Sequence, residues 1–307
     1  MGELLVEIMR PQVDMSLHEE GEFRGPFPSG APAIFIDTAA RLGHPAGIIG
    51  GVAQDDFGRC LLDRLRAGGV NTDHVLESPD GATAVAFVTY RGDGSRQFIY
   101  HIDGTPAARA AAPPVLPPAA WFHVMGCSLM VSDAFRARIL DTMNRFHENG
   151  AQISFDPNIR PELLRGRHIL DIAGPVLERC SVLLPGTAEL ALLSGRDGSA
   201  AGVAQLFAAT PLQIIVVKHG SRGSTVYTRD DSFAVPAYPV TEVDPTGAGD
   251  CFDAAFLAGL LEGRSLPRCA QMAAAAGALN AAAFGPMEGD ISPATVAALI
   301  AQGPINR

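Results

Sequence analysis

The chain has 307 residues, of which 47% are hydrophobic and 18% charged, with a formal net charge of −10. That length suits one large α/β domain with a small appendage, and the acid excess argues against a nucleic-acid partner, whose phosphates call for a basic surface. Five cysteines (Cys60, Cys127, Cys180, Cys251, Cys269) lack Cys-x-x-Cys spacing, which fits reduced thiols in a cytoplasmic protein better than a disulfide framework or a zinc site. Neither a signal-peptide pattern nor an apolar run long enough to cross a membrane is present.

The opening, Met1-Gly2-Glu3-Leu4-Leu5-Val6-Glu7-Ile8, reads as a short first strand. Pro11 to Ser29 is loop-like, with Gly and Pro. Ala82–Ile102 alternates, carries β-branched and aromatic residues, and centres on Arg91-Gly92-Asp93-Gly94, which predicts a β-hairpin. The Ala/Pro-rich stretch Ala107–Ala120 returns the chain to the core. Short apolar runs then recur at Trp121–Met125, Ile153–Phe155, Val182–Leu184 and Ile214–Val217. Between them lie helical patterns at Ala134–Glu148, Thr187–Leu193 and Ala200–Ala209. This rhythm predicts right-handed βαβ units in a parallel sheet. Three further helices follow, over Asp250–Leu261, Pro267–Phe284 and Pro293–Ala301.

The densest chemical signal is Asp244-Pro245-Thr246-Gly247-Ala248-Gly249-Asp250, set directly before an apolar helix. A glycine-rich turn that opens a helix aims unpaired N–H groups at one point, and the helix dipole adds positive potential there. Such a place suits a phosphate or a developing oxyanion. Asp250 would repel a resident phosphate, but it suits a phosphoryl group in transit, because it can accept the proton of an attacking hydroxyl. The plain alternative is a strand-to-helix turn with Asp250 as an N-terminal helix acid. No Gly-x4-Gly-Lys-Ser/Thr loop is present, which excludes a Walker-type NTPase. No Gly-x-Gly-x-x-Gly follows a strand, which argues against a dinucleotide enzyme.

The string Asp-x-Thr-Gly-Ala-Gly-Asp resembles the C-terminal signature of the ribokinase-like (phosphofructokinase-B type) carbohydrate kinases. Gly43–Gly58, Phe155-Asp156-Pro157-Asn158-Ile159-Arg160 and Lys218-His219-Gly220-Ser221-Arg222-Gly223 resemble further motifs of that family, in family order. The resemblance spans nearly the whole chain. It implies a three-layer αβα core with a mostly parallel sheet, formed by residues 1–307 as one kinase domain. A small β-sheet lid, about 9–29 and 82–106, would cover the sugar and serve for homodimerisation. It also implies that the first strand is clipped relative to relatives. The implied activity is ATP-dependent phosphorylation of a sugar. Asp250 would be the general base, and the amides of Gly247, Ala248 and Gly249 the anion hole. Lys218, Gly220, Ser221 and Gly223 would lie along the nucleotide, and Gly277 and Asn280 along the adenine. Glu189 would place Mg2+ through water, and Asp244 and Thr246 would border a K+ ion.

For the sugar, the resemblance points to Ser29, Gly30, Ala31, His101, Arg160 and Asp250. Two positions depart from the family pattern: Ser29 replaces a glycine, and Ile34 stands where an Asn is usual. The opening and the Phe-Asp-Pro-Asn-x-Arg string resemble the 2-keto-3-deoxygluconate kinase branch, while Pro28–Phe35 is similar to tagatose-kinase-like members. In that keto-acid branch a lid Tyr-x-Arg group grips the carboxylate, whereas here His101-Ile102-Asp103 stands at the matching place. Asp103 is expected to repel an acid, which favours a neutral ketohexose. A keto-acid kinase, a nucleoside kinase and a silent sugar-binding protein of the same fold remain open. The lid's modest aromatic content argues against the nucleoside. The other histidines, His44, His123 and His219, lack ligand spacing and are expected to be structural.

Overall fold

The computed structural model describes residues 1–164 and 166–304. In chain order, the first part contains β1 (Leu5–Met9), β2 (Arg24–Ser29), α1 (Ala31–Arg41), β3 (Gly47–Ala53), α2 (Asp56–Ala67), β4 (Asn71–Ser78), β5 (Ala84–Tyr90), β6 (Arg96–His101) and α3 (Pro106–Arg109). The middle holds β7 (Trp121–Met125), α4 (Gly126–Met130), α5 (Asp133–Glu148), β8 (Gln152–Asp156), α6 (Pro161–Leu164), α7 (Ile169–Leu177), β9 (Cys180–Leu183), α8 (Thr187–Ser194), α9 (Ser199–Ala209) and β10 (Ile214–Lys218). The end holds β11 (Ser224–Tyr227), β12 (Ser232–Val235), α10 (Ala248–Leu261), α11 (Leu266–Ala281) and α12 (Pro293–Gln302).

The apolar runs of the middle segment form the parallel strands β7 to β10, within a six-stranded sheet ordered β12-β11-β10-β9-β8-β7. The last two strands turn antiparallel. Strand alternation then divides the core. Val216 on β10 and Val182 on β9 pack with α1, α10, α11 and α12. Their neighbours Ile215, Val217 and Leu183 pack with α5, α7, α8 and α9. A sheet sandwiched between two helical layers is the expected αβα core.

A second, four-stranded sheet is ordered β2-β1-β5-β6. The hairpin predicted around Arg91–Gly94 is present, with Tyr90 opposite Arg96. The first strand is formed and buried. Pro11–Ser29 is not loop throughout: Arg24–Ser29 pairs antiparallel with β1. Its prolines masked it, because they remove ladder donors; β2 is an edge strand, where that loss is tolerated. β3 and β4 form a separate parallel pair.

The loop between β1 and β2 is tied down by one buried cation. Arg10 is 0% exposed. Its guanidinium donates to the carbonyls of Glu19 (2.6 Å), Ser16 (3.2 Å) and Glu22 (3.4 Å) and lies 4.0 Å from the Phe23 ring centroid. Replacing Arg10 with Met leaves three carbonyls without their donor, so Arg10→Met is expected to lower stability by about 2–4 kcal/mol. Urea unfolding checks the magnitude, and faster proteolytic cleavage within 11–23 checks the location.

Candidate active site

The catalytic candidates meet where the parallel strands end. Asp156 closes β8, Lys218 closes β10, and Gly186 follows β9. Open α/β sheets place ligands at this carboxyl edge. α10 points its N-terminus at the same spot. Its N-cap, Gly247, has φ 79°, and a β-carbon there would run into the Pro286 carbonyl, so only glycine fits both demands. Among the described residues, no backbone acceptor meets the amides of Gly247 or Gly249, and no side chain caps the helix. The Ala248 amide differs from expectation: it donates to the Pro245 carbonyl at 3.2 Å, which closes the turn. Of the three amides expected to form an anion hole, those of Gly247 and Gly249 are the two left unpaired among the described residues.

Asp250 lies in the first turn of α10 and is 7% exposed. Asn158 Nδ2 donates to its Oδ1 at 3.2 Å. Burial, and then the neighbouring Asp156 carboxylate, push its pKa up to about 7, against the pull of Arg160, Lys218 and Arg96. Lys218 Nζ binds Asp156 at 3.0 Å and Asp253 at 2.9 Å. Burial disfavours its charge, but Asp156, Asp253 and Glu189 outweigh that and hold it protonated. Burial raises the Asp253 carboxyl well above its usual range.

Asp156, Asn158, Lys218 and Asp250 line a cavity of ≈ 220 Å³, with Asp253 buried behind them. Its walls also include Glu3, Glu7, Gly30, Ala31, Ile34, Phe98, Tyr100, Arg96 and Arg160. Gly30, Ala31, Arg160 and Asp250 are thus brought together as expected. Ser29 is buried behind the wall, where its hydroxyl donates to Glu7 Oε1 at 2.6 Å. His101 is exposed and does not reach the cavity. Strand alternation explains this: Arg96, Phe98 and Tyr100 take the inner face of β6, so Gln97, Ile99 and His101 take the other. Asp103 is likewise exposed and away from the cavity. Phe98 and Tyr100 stack on each other in the cavity wall, with ring centroids 5.2 Å apart.

On the nucleotide side, Lys218 and Gly249 reach the cavity, while Gly220 and Ser221 stand exposed beyond it in a short turn and Gly223 is buried behind that turn. Asn280 does not face a base. It is 0% exposed, donates to the Thr246 carbonyl at 2.7 Å, and accepts from the Gly289 amide at 3.4 Å. Gly277 is buried against the Ala248 carbonyl, where the missing side chain lets α11 approach the first turn of α10. Both residues shape the signature loop from behind.

Glu189 accepts the amides of Ile159 and Gly186, each at 2.7 Å, and lines the cavity. Each carboxylate oxygen keeps a second lone pair, which suits a water-mediated metal contact. Asp244 and Thr246 do come together, but donors surround them. Asp244 accepts from the amides of Thr246 (3.0 Å) and Gly285 (3.1 Å) and from the Tyr90 hydroxyl (3.1 Å). Arg96 Nη1 donates to Thr246 Oγ1 at 2.9 Å. This donor set does not favour a K+ ion on those two side chains. Among the described residues, no group of three or more His, Cys, Asp or Glu is arranged to hold a metal.

Sequence reasoning missed Glu3, Glu7, Arg96, Asn158 and Asp253. Glu3 is held by Ser128 and Cys127, and Glu7 by Ser29. Burial raises the pKa of both. Asp253 had a local signal: it lies three residues after Asp250 and so shares its helix face.

A buried carboxyl at a helix N-terminus, open to a small polar cavity, suits a phosphotransferase site. The model of the pfkB family carbohydrate kinases matches residues 2–293, and the chain belongs to that family. It is 33% identical to Fructokinase-1 of Oryza sativa subsp. japonica, covering 91% of this chain and 90% of that one. It is 33% identical to the fructokinase of Klebsiella pneumoniae, covering 76% of each. Among solved structures, a "putative Ribokinase II" from E.coli in complex with ATP and Mg2+ is 38% identical, with a TM-score of 0.90, covering 98% of this chain and 97% of that one.

The raised pKa of Asp250 gives a signed expectation. Its base form is lost as pH falls through the folded value, so log(kcat/KM) should drop below pH about 7 with a slope approaching one. A profile flat down to pH 5 would show that no group with this pKa acts as base.

Proposed function

We propose that the protein transfers the γ-phosphoryl group of ATP to a hydroxyl of a small neutral ketohexose, fructose- or tagatose-like. The burial of Asp250 at the start of α10, facing the cavity beside the free amides of Gly247 and Gly249, carries this reading. Asp250 takes the hydroxyl proton as the oxygen attacks phosphorus. The two amides meet the charge that builds on the transferring group. Positioning and electrostatics then supply most of the acceleration. Mg2+ entering with the nucleotide would neutralise phosphate charge, with Glu189 as its water-mediated support.

The substrate class follows from the cavity wall. Asp103 does not enter it; Glu3 and Glu7 do. Ionised, they repel a sugar acid; protonated, they still exchange hydrogen bonds with hydroxyls. Among the described residues, Glu7 Oε2 is buried without a partner, which suits a sugar hydroxyl as donor. The cavity is smaller than the about 300–1,000 Å³ typical of larger ligands, which favours a hexose over a nucleoside. The relatives named fructokinase support the same choice. Arg160 closes the cavity near Asp250, with burial opposed by Tyr100, Cys127 and Asp250, which hold it charged.

In this reading the whole chain is one kinase domain, and 9–29 with 82–106 forms the lid, to which β1 also contributes. The outer face of β6, with Ile99 46% exposed beside Gln97 and His101, would meet a second copy. Light scattering should report a dimer that Ile99→Glu converts to monomer, and a monomeric wild type would remove the dimer.

ADP release with Mg-ATP and a panel of fructose, tagatose, ribose, 2-keto-3-deoxygluconate and adenosine tests the function. A signal with fructose or tagatose is expected, and Asp250→Asn should lower kcat by roughly 10²–10⁴ with the KM for ATP little changed. Turnover of the keto acid alone would overturn the neutral-sugar assignment, and near-wild-type turnover of the variant would overturn the base.

A further inference from the structure

We propose that Tyr90 and Arg96 are positioning residues that latch the β5–β6 hairpin onto the phosphate-binding loop, so that one sheet face serves both the sugar and the anion hole. The proposal rests on the kinase reading of that loop.

Tyr90 and Arg96 are direct cross-strand partners, so their side chains share a face. Both reach the signature loop, which lies about 150 residues away in sequence: Tyr90 to Asp244 is 154 residues and Arg96 to Thr246 is 150. The Tyr90 hydroxyl meets Asp244 Oδ2 at 3.1 Å and Thr246 Oγ1 at 3.4 Å. Arg96 Nη1 meets Thr246 Oγ1 at 2.9 Å. Further along β6, on the same face as Arg96, Phe98 and Tyr100 line the cavity.

Thr246 is therefore held from two sides. Asn280 on α11 binds its carbonyl at 2.7 Å, and the hairpin binds its hydroxyl. The next residue, Gly247, starts α10 and presents a free amide. A small rotation at Thr246 would re-aim that amide, and electrostatic stabilisation of a transition state is sharply sensitive to donor placement. The α11 side belongs to the packed core. The hairpin side is an exposed turn between strands at the rim of the four-stranded sheet. A sugar that engages Phe98 and Tyr100 would fix the hairpin, and with it the donor geometry.

A double-mutant cycle of Arg96→Met and Thr246→Val tests the latch. Each single change should lower kcat by about 10- to 100-fold, the scale of a charge-assisted hydrogen bond. KM for sugar and for ATP should stay within about threefold, as for an interaction realised in the transition state. The double variant should be no slower than the slower single, and added guanidinium should recover part of the turnover of Arg96→Met. Effects that multiply in the double variant, or that fall on sugar KM alone, would overturn the latch. Hydrogen exchange reads the same contact without substrate: the amides of Thr246 and Ala248, which are paired within this loop, should exchange about tenfold faster in Arg96→Met. Unchanged exchange there would overturn the latch even if no sugar were phosphorylated, whereas faster exchange in an inactive wild-type background would sustain the latch and reject the kinase reading.

Discussion

The site is organised by the placement of three buried carboxylates around one ammonium. Asp156, Asp250 and Asp253 converge at the edge of the parallel sheet, and Lys218 is the cation that bridges two of them. Uncompensated, such a cluster would cost several kcal/mol per buried ion. Lys218 reaches from the end of β10 to the end of β8 and across to α10, so sheet and helix are tied at one point. Among the described residues, Asp250 is left as the carboxylate without a salt bridge. Its raised pKa follows from its burial and then from the nearby Asp156 carboxylate, and a carboxyl so placed suits proton transfer near neutral pH.

A helix N-terminus supplies the complementary half. The turn at Gly247 leaves amides free because its backbone is left-handed and its face is packed against Pro286. Asn280 and Gly277, on α11, hold that turn from the core side. The small-residue character of α10 and α11, rich in Ala and Gly, is what allows their close approach. Loop geometry and helix packing are therefore one constraint. A larger side chain at Gly277 would press on the Ala248 carbonyl and move the first turn of α10 directly.

The sequence patterns exposed the sheet core and the signature, but not the cavity wall. β7 to β10 were legible because four apolar runs recur with helical segments between them, and periodicity is a local property. β2 was hidden because its prolines mimic a loop, although an edge position accepts them. The sugar side failed for a different reason. Placing His101 in the cavity required knowing the phase of β6, where a shift of one residue moves a side chain to the opposite face, and Asp103 lies beyond the end of that strand. Arg96, Phe98 and Tyr100 hold the inner face instead. Asn280 was readable as a helix residue, but its partner, the Thr246 carbonyl, lies 34 residues back and only the fold brings it near.

The departures at Ser29 and Ile34 gain a physical meaning in the folded chain. Ser29 is not offered to a ligand; its hydroxyl occupies one oxygen of Glu7 and leaves the other bare in the wall. Ile34 adds an apolar surface to the same cavity. On the proposed function, polar recognition would move from the start of α1 to β1, where Glu7 sits on a strand of the four-stranded sheet. A hydroxyl bound there contacts a rigid, buried element, while Phe98 and Tyr100 close from β6. On the proposed function, substrate selection would fall to this one sheet and the chemistry to the start of α10.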